Sequence, residues 1–252
     1  MATTPRLELI NVSKVFETKK GNFTAVKDIS LKVYDNEFLV ILGPGHCGKT
    51  VLLNMIAGLE PLTSGSMIMD GNKVEGTLPG ISMVFQKLAL LPWKTVMENV
   101  ELGPKLAGVD KGTRRKRAQY YIELVGLKGF ENAYPHQLSG GMKQRVGIAR
   151  AYANNPEILL MDEPFGQLDA QTRYAMQEEI MRIWAQEKRT IIFVTNNIEE
   201  ACYLGDRIIL LTKCPASVKA IYDIDLPRPR DMMSQEFLKL RQLISENTDL
   251  AI

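Results

Sequence analysis

A glycine-rich loop at residues 43–50 constrains the fold of this chain more than any other part of its sequence. The loop has the pattern G-x-x-x-x-G-K-[ST], in the form GPGHCGKT, and it follows the wholly apolar run FLVIL at residues 38–42. A segment with helical spacing of apolar residues follows it. This order predicts a phosphate site, because N–H groups of the loop and of the helix start point at anionic oxygens. A turn that only caps a helix is the alternative, and the flanking strand and helix disfavour it.

Two side chains of the loop carry the chemistry that a bound nucleotide needs. Lys49 supplies a positive charge at the β- and γ-phosphates, and Thr50 supplies a hydroxyl for Mg²⁺, which prefers hard oxygen ligands. The predicted nucleotide-binding residues are those of the whole loop, namely Gly43, Pro44, Gly45, His46, Cys47, Gly48, Lys49 and Thr50. For Cys47, a small space-filling side chain is the favoured interpretation, and a thiol whose modification blocks nucleotide binding is the alternative.

The composition excludes several classes of protein. The 252 residues allow one large domain or two small ones, and an apolar content of 45% with 24% charged residues is ordinary for a soluble globular protein. The net charge of +2 argues against a dedicated nucleic-acid binder. The three cysteines form neither a zinc pattern nor a disulfide framework, which fits a reducing compartment. We expect no signal peptide and no membrane span, which would need about 20 apolar residues.

The pattern of apolar residues predicts an α/β fold with two kinds of sheet. Residues 7–12 and 29–33 alternate apolar and polar side chains, which is typical of half-buried antiparallel strands. Like residues 38–42, the runs at 81–85, 158–161 and 191–194 resemble buried strands, and each precedes a polar turn and a helical stretch. That rhythm predicts a mostly parallel sheet.

The middle of the chain differs from the parts on either side. Residues 93–154 have helical periodicity and many charges and lack a strand-like run, so we predict an inserted helical subdomain there. Residues 1–92 and 155–225 are predicted to form the α/β core, and residues 226–252 a tail with a final helix. The whole chain, residues 1–252, is expected to be one domain.

Three polar residues stand at the ends of predicted buried strands. Asp162 and Glu163 end the run at 158–161, and Gln86 follows the run at 81–85. The carboxyl edge of a parallel sheet is where ligands bind, so Asp162 is placed to hold Mg²⁺, directly or through water. Glu163 could polarise an attacking water, and the amide oxygen of Gln86 could reach Mg²⁺ or that water. Taken alone, the two acidic residues could simply follow the end of a strand, and Gln86 could lie in an ordinary surface loop.

A second helix start with the features of an anion site lies at residues 139–141. Ser139 is a natural N-cap, and Gly140 and Gly141 allow a close backbone approach to an anion. An ordinary helix cap is the alternative. One nucleotide does not easily need two such helix starts from the same chain, so the second is predicted to serve the nucleotide of a partner.

Together these motifs resemble the ATP-binding subunits of ABC transporters, over nearly the whole chain. The resemblance rests on the loop at 43–50, Gln86 in VFQK, the signature LSGGMKQ at 138–144, LLMDEP at 159–164 and FGQLD at 165–169. Within that family, LLPW at 90–93 and LPRPR at 226–230 resemble the nitrate, sulfonate and taurine importers.

The resemblance implies a fold, a cofactor and a dimer. The fold would be a P-loop NTPase core with a mostly parallel sheet, an antiparallel β portion and an inserted helical subdomain. Two ATPase subunits, identical or paralogous, would clamp two ATP molecules with Mg²⁺ head to tail. Ser139, Gly140 and Gly141 of one subunit would cap the γ-phosphate held by Lys49 of the other. Phe16, in VSKVF, would stack on adenine.

The resemblance also implies a place in a larger machine. The chain would hydrolyse ATP to energise import of a small anionic solute such as nitrate or a sulfonate. It would lie peripherally at the cytoplasmic face of the cell membrane, with membrane-spanning permease subunits docked on the stretch after Gln86 and on the helical insertion. A separate solute-binding protein would select the solute, and no nucleic-acid partner is expected. A soluble ABC-type ATPase or a low-turnover ATP-dependent dimer clamp is the alternative.

Two positions depart from the usual pattern of the family. His46 stands where most such loops have glycine, and Gly45 stands where they have serine, so we expect Gly45 to take over the permissive backbone position and His46 to face solvent or the opposite subunit. Asn196 stands where a histidine usually contacts the γ-phosphate. Its amide carries no charge and cannot shuttle a proton, which predicts a slow ATPase that still binds ATP. Adequate positioning of phosphate or water by Asn196 is the alternative.

Overall fold

The chain divides into two units, and the computed structural model describes residues 4–19 and 21–248. The first unit comprises Met1–Leu78 and Thr190–Ile252, and the second is Pro79–Arg189. Residues 249–252 of the predicted tail lie outside the described residues.

The secondary structure follows the predicted alternation of strands and helices. In chain order the strands are β1 (Leu7–Thr18), β2 (Gly21–Val33), β3 (Phe38–Leu42), β4 (Ser64–Met69), β5 (Asn72–Val74), β6 (Ile81–Val84), β7 (Ile158–Asp162), β8 (Thr190–Thr195), β9 (Arg207–Leu211) and β10 (Val218–Asp223). The helices are α1 (Lys49–Ile56), α2 (Val96–Val100), α3 (Leu102–Leu106), α4 (Lys111–Leu124), α5 (Gly140–Ala153), α6 (Ala170–Gln186), α7 (Ile198–Leu204) and α8 (Gln235–Asn247).

An antiparallel sheet in the first unit has the strand order β2-β1-β4-β5. Alternate residues of β1 and β2, such as Leu7, Leu9 and Leu31, are buried while their neighbours are more exposed, as the period of two predicted. Both strands run further than predicted, because pairing continues to Thr18 opposite Gly21. Backbone hydrogen bonds need no apolar side chains, so the polar end of this hairpin gave no strand signal.

The second sheet region of the first unit carries the parallel strands. There β3 lies between β8 and β9 and is parallel to both, while β10 pairs antiparallel with β9. Every residue of β3 and β8 is buried, which explains their continuous apolar runs. Leu42 lies opposite Thr195, so the segments that follow β3 and β8 leave the sheet at the same edge.

The second unit combines a parallel strand pair with helices. β6 runs parallel to β7, with Val84 opposite Met161, and every residue of β7 is buried. The chain between these strands forms α2 to α5, and Ile122, Ile148 and Tyr152 are among their buried side chains. The predicted α/β fold, with parallel strands, an antiparallel β portion and an inserted set of helices, is confirmed. Across residues 4–19 and 21–248, no helix combines the length and apolar character needed to cross a membrane.

Gly58 lies in tight contact with the backbone of Gly76. Gly58 follows α1 with φ of +70°, and a Cβ added there would stand 1.9 Å from the carbonyl oxygen of Gly76. Gly71 has a similar φ of +79°, but a Cβ there would meet nothing within 4 Å. We expect Gly71→Ala to lower the free energy of unfolding by about 1 kcal/mol through backbone strain alone. Gly58→Ala should lower it by about 2 kcal/mol more, because the backbone at Gly76 must move.

Urea denaturation of both variants and of the parent protein measures this difference. Gly71→Ala serves as the matched control, since it carries the same backbone strain without the steric clash. Equal losses of stability in the two variants would show that the contact between Gly58 and Gly76 does not constrain the fold.

Candidate functional site

The phosphate-binding loop begins where β3 ends. The Gly43 N–H donates to the carbonyl oxygen of Thr195 at 3.3 Å, which fixes the loop beside the end of β8. Gly48 is the N-cap of α1, and no side chain caps this helix. Its φ is +118°, and a Cβ there would stand 2.6 Å from the Ala25 carbonyl oxygen, so the position requires glycine. A helix start without a side-chain cap suits an anion as the partner of its first amides.

Lys49 lies inside this loop. The residue is 4% exposed, and its Nζ donates to the carbonyl oxygens of Gly43 at 2.9 Å and Pro44 at 2.7 Å. Both acceptors belong to the loop itself, so the ammonium group is held where a bound phosphate would compete for it. The next residue, Thr50, is exposed.

The backbone of the loop differs from the expectation for Gly45. Gly45 does not take the left-handed conformation, which is adopted instead by His46 with φ of +60°. Such a conformation costs a residue with a side chain about 1 kcal/mol or more, although histidine is among the residues found there more often. His46 is exposed, and a Cβ at Gly45 would meet nothing within 4 Å. The expectation about Gly45 was wrong because the left-handed position is fixed by the path of the loop.

Cys47 is a packed part of the loop. It is 1% exposed, and a Cβ placed on Gly43 would stand 3.1 Å from its Sγ. Burial raises the pKa of the Cys47 thiol, which keeps it protonated near neutral pH. These properties favour the space-filling interpretation over a reactive thiol.

The three thiols therefore differ in their expected reactivity. Burial also raises the pKa of Cys202, to about 12, whereas Cys214 is exposed. Because the thiolate is the reactive form, a small thiol reagent at pH 7 should label Cys214 rapidly and the two buried thiols slowly, with ATP binding retained. Mass spectrometry of the labelled native protein measures this, and Cys214→Ser is the control that removes the fast phase. Rapid labelling of Cys47 with loss of ATP binding would contradict the prediction.

The first unit also places Asn196 next to the phosphate-binding loop. Asn196 is exposed and follows Thr195, the residue whose carbonyl oxygen accepts from Gly43. The Thr195 hydroxyl donates to Glu200 Oε2 at 2.6 Å and accepts from the Asn197 N–H at 3.0 Å. Asn197 in turn caps α7 by accepting from the Glu200 N–H at 3.1 Å. Sequence reasoning missed Glu200, whose only signal is its place in the first turn after the strand.

Phe16 lies on a different sheet of the same unit. It is on β1, opposite Phe23 of β2, and it is half-buried. Its ring is therefore neither a core side chain nor fully exposed, which is compatible with a surface that stacks on a flat ligand.

The second unit brings Gln86 and the two acidic residues to neighbouring strand ends. Asp162 is the last residue of β7 and is 4% exposed, whereas Gln86 is exposed after β6. Glu163 is half-buried and has a left-handed φ of +40°, an unusual conformation for a glutamate. Left-handed residues with side chains occur at functional sites as well as in turns, so this conformation is compatible with the predicted role of Glu163.

An arginine that the sequence did not indicate fixes the segment after Gln86. Arg150, in the last turn of α5, donates to the carbonyl oxygens of Leu88 at 2.6 Å and Ala89 at 2.9 Å. Burial lowers the pKa of its guanidinium, which still remains charged at neutral pH. The arginine is distant from Gln86 in the sequence, and no local pattern links the two.

The signature segment forms the start of the same helix. Ser139 is the N-cap of α5, and its Oγ accepts from the Met142 N–H at 3.3 Å, as predicted for a helix cap. A Cβ on Gly140 would make only ordinary contact, at 3.8 Å from Leu168, whereas one on Gly141 would stand 3.1 Å from Thr172. Packing within the chain therefore does not require glycine at position 140. An exposed glycine there is compatible with a ligand that approaches α5 from the solvent side.

The oxygen donors fit magnesium only together with a nucleotide. Within residues 4–19 and 21–248, no group of three or more His, Cys, Asp or Glu side chains could hold a metal. Thr50, Gln86 and Asp162 offer a hydroxyl, an amide and a carboxylate oxygen. Thr50 belongs to the first unit, and Gln86 and Asp162 belong to the second. Mg²⁺ commonly takes one or two protein oxygens and completes its octahedron with phosphates and water, so each of these oxygens is of a kind that a nucleotide-bound ion accepts.

The sequence is similar to proteins of one family. The profile described as ABC transporter matches residues 26–166. An uncharacterized ABC transporter ATP-binding protein of Methanocaldococcus jannaschii is 51% identical over 95% of this chain and 90% of that protein. A taurine import ATP-binding protein of Rhizobium johnstonii is 46% identical over 88% and 85%. A nitrate import ATP-binding protein of Synechocystis is 41% identical over 94% and 89%.

A solved structure has the same fold. It is the dimeric structure of a post-hydrolysis state of an ATP-binding cassette bound to ADP and Pi, and it matches with a TM-score of 0.76 and 33% identity. The match covers 88% of this chain and 100% of that one.

Proposed function

Because the chain belongs to the ABC transporter family, we propose that it is the ATP-binding and ATP-hydrolysing subunit of an importer for a small anionic solute. The observation that carries this proposal is the glycine loop at the end of β3, with its buried Lys49 and a helix start that no side chain caps. The similarity to taurine and nitrate import proteins supports the direction of transport and the class of solute.

Each proposed site residue has a role in the hydrolysis of ATP. The backbone of residues 43–50 and the ammonium of Lys49 bind the β- and γ-phosphates, and Phe16 stacks on adenine. Thr50, Gln86 and Asp162 would hold Mg²⁺, and the ion would neutralise charge on the phosphates when bound. A water activated by Glu163 attacks the γ-phosphorus, the bond to the bridging oxygen breaks, and ADP leaves with inorganic phosphate as the second product.

The subunit acts as one part of an assembly. Two copies, or this chain and a paralogue, sandwich two ATP molecules, with Ser139, Gly140 and Gly141 of each contacting the nucleotide held by the other. The exposed glycine at position 140 and the dimeric relative support this arrangement. Membrane-spanning permease subunits receive the motion at the cytoplasmic face of the cell membrane, and a separate solute-binding protein delivers the anion.

Assembly with a permease tests the proposal. The chain, expressed together with permease subunits of the proposed importer, should sediment with membranes, and without them it should remain in the supernatant. In proteoliposomes with the matching binding protein, ATP should drive uptake of a labelled oxyanion or sulfonate. Lys49→Ala is the control that should assemble but not transport. Equal partitioning with and without permease, or ATP-independent uptake, would overturn the proposal.

The similarity to import ATP-binding proteins does not favour the alternative of a low-turnover dimer clamp, but one residue bears on how fast the enzyme works. Asn196 occupies the position beside the loop from which a charged or proton-shuttling side chain could contact the γ-phosphate. Replacement of Asn196 by histidine tests whether its neutral amide makes the enzyme slow.

A further inference from the structure

Lys14 is a buried cation whose position is fixed on two sides. The residue lies on β1 and is 7% exposed. Its Nζ stands 2.5 Å from Glu60 Oε1 and donates to the Pro61 carbonyl oxygen at 2.9 Å. The Glu60 side chain is 31% exposed, so only the Lys14 member of this ion pair is buried.

The same ammonium group lies over the ring of Phe16. The distance from Lys14 Nζ to the ring centroid is 4.9 Å, within the range of about 6 Å over which a cation is attracted to an aromatic face. The two anchors at Glu60 and Pro61 hold the cation at this distance. One face of the ring is thus turned toward Lys14, and the cation draws the electron density of the ring toward that side.

The anchors of Lys14 also connect Phe16 to the phosphate-binding helix. The Glu60 N–H donates to the Asn54 carbonyl oxygen at 3.2 Å, and Asn54 is part of α1, the helix that begins at Lys49. Lys14 therefore links the aromatic ring on β1 to the element whose first residues bind phosphate. A nucleotide held at both ends requires a fixed spacing between these two contacts.

We propose that Lys14 is a positioning residue for the nucleobase, which orients the Phe16 ring and makes its face a better partner for an electron-rich purine. The inference rests on the proposed function, in which Phe16 stacks on adenine. It predicts a contribution of Lys14 to binding of the base and none to binding of the phosphates.

A pair of ligands separates the two contributions. MgATP and magnesium tripolyphosphate share the phosphate chain, but only the first has a base. In calorimetric titrations of the intact chain, Lys14→Met should raise the Kd for MgATP about fivefold and leave the Kd for tripolyphosphate within about twofold. Lys14→Arg, which keeps the cation, should restore most of the loss. In a Phe16→Ala background, Lys14→Met should have little further effect.

Lys32→Met is the matched control, because Lys32 is a half-exposed lysine on β2 that pairs with Glu8 and should affect neither ligand. Tripolyphosphate binding also reports that each variant retains its fold at the loop. Three results would overturn the inference. Lys14→Met could raise the Kd for both ligands equally, leave the Kd for MgATP unchanged, or raise the Kd for MgATP by the same factor with and without Phe16.

The parent protein and Phe16→Ala separate this inference from the proposed function. If the parent protein binds neither ligand, the proposed function and the inference are both wrong. Phe16→Ala could weaken the binding of MgATP but not of tripolyphosphate, while Lys14→Met changes the binding of neither. In that case the nucleotide site stands and the role of Lys14 alone is refuted.

Discussion

Replacing Glu163 by glutamine is expected to lower the rate of ATP hydrolysis by about 10²–10⁴-fold, the usual contribution of a general base, with ATP affinity within about twofold of the parent protein. The amide has nearly the shape of the carboxylate but cannot accept the proton of the attacking water. Binding should persist because the phosphates are held by the loop after β3, to which Glu163 contributes no atom. The measurement is phosphate release from MgATP by the assembled transporter, with nucleotide affinity determined in parallel.

The position of Glu163 supports so large an effect. It follows Asp162 at the end of a wholly buried strand, and its backbone is held in a left-handed conformation with φ of +40°. Glu157→Gln, just before the other end of β7, is the matched control and should leave the rate unchanged. A Glu163→Gln variant that retains more than about a tenth of the parent rate would exclude Glu163 as the principal base.

Replacing Asn196 by histidine should raise the rate of ATP hydrolysis by about tenfold or more. A charge-assisted contact to the γ-phosphate is worth roughly 1.5–3 kcal/mol in the transition state, and the neutral amide of Asn196 cannot supply it. Asn196 is exposed, and the hydrogen bonds among Thr195, Asn197 and Glu200 do not use its side chain. The substitution should therefore leave the turn and α7 intact.

The neighbouring Asn197→His variant is the control for Asn196→His. Asn197 caps α7, so its loss should lower the free energy of unfolding by about 1 kcal/mol without accelerating turnover. Both variants are to be measured in the assembled transporter, where the two ATP sites are complete. An unchanged or lower rate in Asn196→His would show that asparagine already positions phosphate or water adequately, and would refute a naturally slow enzyme.

Local sequence patterns were sufficient for the fold and for the phosphate-binding loop. Continuous apolar runs identified β3, β7 and β8, because a strand covered on both faces has no polar side. The structure requires glycine at position 48 of the predicted loop, where a Cβ would collide with the Ala25 carbonyl oxygen. Such requirements are visible in the residue types themselves.

Contacts between residues far apart in the chain could not be predicted in this way. Arg150 binds two carbonyl oxygens near residue 88, and Lys14 binds Glu60, although no spacing rule relates either pair. The left-handed backbone of His46 was also missed, because histidine carries little of the conformational signal that glycine gives. In both cases the tertiary structure, and not local propensity, selects the partner or the conformation.

Arg150 attaches the last turn of α5 to the segment after Gln86. Arg150 lies in the last turn of the helix and binds residues 88 and 89, while Ser139 caps the first turn. The two positions are about 16 Å apart at a rise of about 1.5 Å per residue, and a single α-helix is stiff over that length. If a permease docks on the segment after Gln86, as proposed, Arg150 would couple a displacement of that segment to the start of α5 at Ser139.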